Sequence, residues 1–312
     1  MFKLKSKFFL TGEELNREEL EQLLELAQSL KESRGKPNAF GNHCEGKTLA
    51  LLFEKPSLRT RVSFTVAMQE LGGTALNLVA SSSKKEEPED VIQVLGGYCH
   101  AVMSRTHSHT NLERMVKHAK IPVINGLSDT HHPCQVLADL LTLKQVFGNL
   151  KGLKLTYIGD GNNMLHSLLL LAPYLGVDVH YAVPEGYEPN AFIVKRAMKR
   201  AKEGGGSITD HRDPFKAADQ ANILYTDVWT SMGFEEESKD RELAFQSYQI
   251  NEELFSKAAA NAIVLHCMPM VRGKEITDSM ADHPKALMFQ QSENRLHAQK
   301  ALLVGMISGG VG

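Results

Sequence analysis

Phe53-Glu54-Lys55-Pro56-Ser57-Leu58-Arg59-Thr60-Arg61-Val62-Ser63 is the stretch from which the fold of this chain can be read. It follows an apolar run, residues 48–53, with the length and composition of a buried strand. It leads into residues 62–71, where apolar side chains recur at helical spacing until Gly72-Gly73 stops them. Pro56 keeps its predecessor out of helical geometry, so the helix starts near Ser57. Two hydroxyls (Ser57, Thr60) and the Arg59 guanidinium then share a first turn whose backbone N–H groups lack intrahelical partners. Such a turn, at the positive end of the helix dipole, suits a phosphate. A capped surface helix with a solvated arginine satisfies the same residues.

Working outward, the same strand-then-helix alternation recurs. Upstream, Thr11-Gly12-Glu13-Glu14 reads as a capping box, and Leu20, Leu23, Leu24, Ala27 and Leu30 line one face of a helix over roughly 13–33. Downstream come a strand at 74–80, a polar loop at 81–88, a helix at 89–98 and a strand at 101–105 that ends in Arg105. A helix at 111–119, a strand at 122–127, a turn at 128–133 and a helix at 134–147 follow. Gly148-Asn149 stops that helix and Lys151-Gly152 opens a new unit. In the second half, strands are expected at 153–158, 178–183, 207–209, 223–228 and 262–266. Helices are expected at 164–175, 189–202, 215–219, 251–260 and 294–307, with a long, acidic, turn-like stretch at 233–246 of the kind that is usually functional. The alternation predicts an α/β protein of two doubly wound domains, each a mostly parallel sheet flanked by helices. The domains are expected at 1–148 with a returning helix at 290–312, and at 149–289.

A chain of 312 residues accommodates two cores of roughly 150 residues each. Hydrophobic residues at 42% and charged residues at 23% are ordinary for a globular enzyme. A net charge of −2 gives no basic field for nucleic acid or an anionic membrane. No apolar run approaches the ~20 residues of a spanning helix, and residues 1–10 lack a signal peptide's apolar core. Four scattered cysteines read as reduced thiols, so a cytoplasmic protein is expected.

In open parallel sheets the ligand sits beyond the carboxyl ends of the strands. Those ends carry Ser57-Leu58-Arg59-Thr60, Arg105, His132-Pro133-Cys134-Gln135, Asp160-Gly161-Asn162-Asn163, Asp227, Ser231-Met232-Gly233 and His266-Cys267-Met268-Pro269. Each cluster alone fits a structural role; their concentration at one edge argues for a site. Gly159-Asp160-Gly161 opens a helix after a strand, but Met164 stands where a dinucleotide fingerprint needs its third glycine. The histidines at 107, 109, 131 and 132 lack a metal-ligand spacing. No metal and no cofactor are expected.

The quoted stretch resembles the carbamoyl-phosphate motif of the aspartate/ornithine carbamoyltransferase family, and His132-Pro133-Cys134-Gln135 resembles that family's second motif. Asp227 to Gly233 is similar to the loop that distinguishes the ornithine branch, as is His266-Cys267-Met268-Pro269 with Arg272-Gly273. Ser292-Glu293-Asn294-Arg295-Leu296 resembles the last helix. The matches run in order from about 48 to 300, almost the whole chain. The resemblance implies transfer of a carbamoyl group from carbamoyl phosphate to the δ-amine of L-ornithine, in a site between two domains joined by two interdomain helices. It assigns Ser57, Leu58, Arg59, Thr60, Arg105, His132, Gln135, Cys267, Met268 and Arg295 to carbamoyl phosphate, and Asn163, Asp227, Ser231 and Met232 to ornithine. Arg59, Arg105, His132 and Cys267 are the implied catalytic groups, and a homotrimer or a multiple of it is the implied assembly. Oxyanion stabilisation by Arg105, His132 or Thr60 and selection of the neutral amine by Asp227 and Cys267 make chemical sense of these roles. The resemblance leaves open whether Cys267 reacts as thiol or thiolate.

Three departures stand out. Leu58 replaces a threonine usual in the family, Met270-Val271 replaces a more polar pair, and the loop at 81–87 is short and lacks the usual glycine and glutamine. Lys84 or Lys85 is expected to supply the missing charge. Putrescine or an acylated ornithine is the alternative acceptor, and a non-catalytic ligand-binding relative the alternative class.

Overall fold

Short, mostly apolar runs, many of them rich in leucine or β-branched residues, form ten strands among the described residues, and these pair in parallel. The computed structural model describes residues 2–36, 42–79, 86–230 and 235–307. Its chain divides into two compact units, Met1–Leu141 with Glu293–Gly312, and Thr142–Ser292. The division points fall within helices α5 (Pro133–Phe147) and α12 (Met288–Ile307).

The first unit contains β1 (Phe8–Phe9), α1 (Arg17–Glu32), β2 (Thr48–Phe53), α2 (Leu58–Glu70), β3 (Thr74–Val79), α3 (Pro88–Tyr98), β4 (Ala101–Arg105), α4 (His109–His118) and β5 (Val123–Leu127). Its sheet runs β1-β5-β4-β2-β3. Ala50, Val102 and Val123 on the strands pack with Ile92, Leu112 and Met115 on the helices. Helix α1 buries the five expected apolar residues but starts later than expected. Asn16 and Glu19, not Thr11 and Glu14, form its capping box, while the Glu14 carboxylate takes the Leu10, Thr11 and Gly12 N–H groups in a separate turn. The short β1, too brief for a periodic signal, was not foreseen.

The second unit contains β6 (Lys154–Ile158), α6 (Asn163–Leu171), β7 (Asp178–Ala182), α7 (Ala191–Gly204), β8 (Ser207–His211), α8 (Pro214–Ala218), β9 (Ile223–Thr226), α9 (Ser238–Phe245), α10 (Glu252–Phe255), β10 (Ile263–His266) and α11 (Asp278–Ala281). Its sheet runs β10-β9-β6-β7-β8. Two expectations need correction. The described part of 233–246 is mostly helical, because Phe245 is fully buried against Tyr187, Trp229 and Tyr248, worth about 1.5–3 kcal/mol. Residues 251–260 hold only the one-turn α10, capped by Asn251 and followed by turns. Helix α12 also starts six residues before the expected 294, its first turn anchored by buried Met288 and Gln291.

Candidate active site

In each sheet one pair of adjacent strands sends its connections in opposite directions, β2 with β4 in the first unit and β6 with β9 in the second. Ligands in open α/β sheets bind at such a switch point, beyond the carboxyl ends.

In the first unit, Phe53 lies beside Arg105 in register, so the turns after β2 and β4 leave the sheet at one level. The Glu54 N–H donates to the Arg105 carbonyl at 2.9 Å, and the Glu54 carboxylate accepts from the Thr106 hydroxyl and the His107 N–H. A bulge between Ser104 and Arg105 re-aims the arginine, and the partner strand supplies the extra residue as Gly126, where a Cβ would meet Met103 Sδ at 2.2 Å. Ser57 caps α2, its hydroxyl accepting the Thr60 N–H at 3.3 Å. Buried Arg295 donates to Thr60 Oγ1 at 2.8 Å and to Gln135 Oε1 at 3.2 Å, and Gln135 donates on to Asp139 at 2.9 Å. Burial first, then Arg295 and Arg59, lower the Arg105 guanidinium to about 10. His132 is pushed well below its ordinary value by burial and by Arg295, Arg105 and Arg59, so its imidazole is neutral. The structure thus gathers Ser57, Arg59, Thr60, Arg105, His132, Gln135 and Arg295 in one unit. Leu58 lies at the same helix start with an exposed side chain. Buried Cys134, pushed up to about 12, stays a thiol.

In the second unit, Ile158 and His266 both align with Thr226, so Asp160, Asp227 and Cys267 emerge together. Gly161 explains the glycine pattern after β6: a Cβ there would stand 2.4 Å from Tyr187 O, which accepts the Gly161 N–H at 2.9 Å. The glycine serves close packing, not a pyrophosphate. Asp227 Oδ1 accepts the Cys267 thiol at 2.8 Å and the Val228 N–H at 2.8 Å, and Oδ2 accepts Asn162 Nδ2 at 2.8 Å. Asn162 Oδ1 caps α6 and accepts the Tyr157 hydroxyl, which burial and then Asp227, Asp160 and Cys267 keep protonated. Asn163, the residue expected here, opens α6 beside it. Burial pushes Asp160 up to about 6 against the pull of Arg241, whose Nη1 stands 2.9 Å away and also donates to Trp229 O. Met268 follows Cys267 with its N–H on His266 Nδ1. Asn162 and His266 lie in the strand-end clusters but were given no role there, and Arg241 and Glu275 lie outside those clusters. The N-cap preference for Asn signalled the first; buried charge pairing leaves no comparable local pattern. Ser231, Met232, Lys84 and Lys85 lie outside the described residues.

Asp227, His266 and Cys267 each offer a donor atom within 4.8 Å of the others, the arrangement here that could hold a metal. Both His266 ring nitrogens are already engaged, with the Met268 N–H and Glu275, so an ion would have to displace one of those bonds.

The sheet orders and the two polar clusters define a protein of two doubly wound α/β units, each with a polar cluster beyond its strand ends, and family comparison gives the class as a carbamoyltransferase. Residues 7–145 match the aspartate/ornithine carbamoyltransferase carbamoyl-P binding domain, and residues 151–306 match the Asp/Orn binding domain. The chain belongs to the aspartate/ornithine carbamoyltransferase family. It is 48% identical over 307 residues to the ornithine carbamoyltransferase of Anoxybacillus flavithermus, covering 97% of this chain and 98% of that one. An anabolic ornithine carbamoyltransferase of Pyrococcus furiosus is 46% identical over 299 residues, covering 94% of each. The solved ornithine carbamoyltransferase from Pyrococcus furiosus superposes with a TM-score of 0.94 at 44% identity, over 100% of both chains.

Proposed function

We propose that this chain transfers the carbamoyl group of carbamoyl phosphate to the δ-amino group of L-ornithine, giving L-citrulline and phosphate, in arginine biosynthesis. The observation that carries the reading is the crowding of Arg59, Arg105 and Arg295 around a neutral His132 at the start of α2, a field suited to a dianion. In this reading Ser57, Leu58 through its backbone N–H, Arg59, Thr60, Arg105, His132, Gln135 and Arg295 hold carbamoyl phosphate, and Cys267 and Met268 are carbamoyl-phosphate residues by the family resemblance. Asn163, Asp227, Ser231 and Met232 hold ornithine, the Asp227 carboxylate facing the α-ammonium.

The δ-nitrogen lone pair attacks the carbamoyl carbon, the carbonyl oxygen takes negative charge, and the carbon–oxygen bond to phosphate breaks as that intermediate collapses. The amine loses a proton, which leaves with the phosphate. Arg105 and the N–H of neutral His132 stabilise the oxyanion. An alkylammonium with a pKa near 10.4 cannot attack, so the acceptor half selects the neutral amine. The Cys267–Asp227 contact offers a carboxylate and a thiol for that selection.

We further propose a homotrimer or a multiple of it, in the cytoplasm. Leu58 and Val62 on α2, Leu76 on the edge strand β3, and Val94 and Tyr98 on α3 leave large apolar side chains exposed in the first unit, which suits burial by a second copy. None of the four cysteines is in a disulfide, and no helix among the described residues is long and apolar enough to cross a membrane. Citrulline and orthophosphate are measured with ornithine, putrescine and acetylornithine offered in parallel. Phosphate release only with ornithine is expected; none above background with any acceptor refutes the reading. A monomer by light scattering refutes the assembly.

A further inference from the structure

Met268 has φ +60°, a left-handed backbone that a residue with a side chain seldom adopts. The ring two residues upstream holds it. The Met268 N–H donates to His266 Nδ1 at 2.8 Å, and His266 Nε2 meets Glu275 Oε1 at 3.0 Å. A ring nitrogen that accepts a hydrogen bond carries no proton, so the imidazole is the neutral tautomer protonated at Nε2, donating to Glu275. The same Glu275 oxygen accepts the Val271 N–H at 2.5 Å, so one carboxylate fixes both the histidine and the far side of the turn. Glu275 is itself fixed: its carbonyl accepts the Ile250 N–H at 2.9 Å. The His266 N–H donates to Gln291 Oε1, and Gln291 donates to the Tyr225 hydroxyl. His266 and Glu275 are both buried, and through the Met268 and Val271 N–H groups they define the path of the turn that follows Cys267, whose thiol donates to Asp227.

We infer that His266 is a positioning residue for carbamoyl transfer: backed by Glu275, it clamps the Met268 N–H and thereby sets where the Cys267 thiol stands against Asp227. The kinetic part of this inference rests on the function proposed above; the structural part does not.

The test uses the full chain with His266→Asn, His266→Gln and His266→Ala. An asparagine oxygen naturally accepts the N–H two residues on, as in an Asx turn, whereas the longer glutamine does not close that ring and alanine has no acceptor. With ornithine and carbamoyl phosphate, His266→Asn is expected to keep kcat within about tenfold of wild type. His266→Gln and His266→Ala are expected to fall about 10²-fold, the scale of a displacement of roughly 1 Å at a reacting group. Melting temperatures refer each rate to folded protein, and if His266→Ala does not fold, the Asn–Gln comparison decides. Equal rates for Asn and Gln, or a folded His266→Ala within about threefold of wild type, overturn the inference. Alkylation of Cys267 by iodoacetamide, followed on its peptide by mass spectrometry, needs no substrate. Its rate is expected to change about tenfold in His266→Gln and little in His266→Asn, since thiol reactivity follows its surroundings. One rate for all variants overturns the clamp even if the protein transfers no carbamoyl group, and inactive wild type with altered alkylation refutes only the proposed function.

Discussion

Replacing Arg105 by methionine is expected to raise the melting temperature of the ligand-free protein while nearly abolishing its activity. The substitution keeps most of the stem and removes the guanidinium. That group is lowered from 12.5 to about 10, chiefly by burial and then by Arg295 and Arg59, and its Nε is buried with no hydrogen-bond partner among the described residues. At about 1.36 kcal/mol per tenfold in proton affinity, the charge opposes folding by roughly 3 kcal/mol as an upper bound. Because the folded value is the lower one for a cation, the opposition is fully present at neutral pH and is relieved only as pH rises past about 10. If a third to all of it is recovered, at about 2–4 °C per kcal/mol for a unit of this size, the midpoint rises by roughly 2–12 °C. Scanning calorimetry in phosphate-free buffer measures it. Titrating inorganic phosphate then stabilises wild type, by about 2.7 kcal/mol at a hundred times its dissociation constant, and the variant far less. A variant that melts below wild type without phosphate, or gains equally from phosphate, refutes the reasoning.

Arg59→Ala is expected to lose on the order of 10²–10³ in kcat, as for one lost transition-state donor, and a rate within about threefold of wild type would show that the anion is held elsewhere. Asp227→Asn should raise the KM for ornithine about 10–10²-fold with a smaller effect on carbamoyl phosphate, since the charge facing the ammonium is lost; equal effects on both constants count against it. His180, held at about 4 by burial, Lys154 and its 2.8 Å contact with His211, is protonated first in the unfolded chain. The stability from this pair is therefore full above about pH 6.5 and lost as pH falls toward 4, and His211→Gln should flatten the fall in melting temperature between those limits. Phe245→Ala should cost about 3–5 kcal/mol in urea unfolding, because Trp229, Tyr187 and Tyr248 all pack on that ring.

The strand–helix alternation was legible because each strand is a short apolar run closed by local punctuation. Pro56 and Ser57 place the start of α2 to the residue, and Gly72-Gly73 its end. The candidate site was legible for a topological reason: with the described strands parallel, the carboxyl ends within each sheet share one edge, so polar residues at those ends share it too. What escaped depends on partners far apart in sequence. Helix α9 shows an exposed leucine at 243 and charged neighbours, and its anchors, Phe245 in an aromatic cluster and Arg241 on Asp160, lie 81 residues from that partner in the second case. Asn162 and Asn163 are adjacent and chemically identical; only the turn at the start of α6 decides which one caps the helix and meets Asp227. Thr11-Glu14 and Asn16-Glu19 both satisfy a capping-box pattern, and burial of Leu15 with Glu19 selects the second.

The first unit is built from two separated pieces of chain, and Arg295 belongs to the later one. During synthesis, residues 1–141 must therefore wait while the intervening segment, a contiguous unit able to collapse on its own, is made. At 5–20 residues per second that delay is roughly 8–30 s, during which a sheet with all five strands made lacks its final helix. A nascent chain released early would carry a finished second core and an unfinished anion pocket, so premature termination should yield protein that is compact in part, inert, and dependent on chaperones for its solubility.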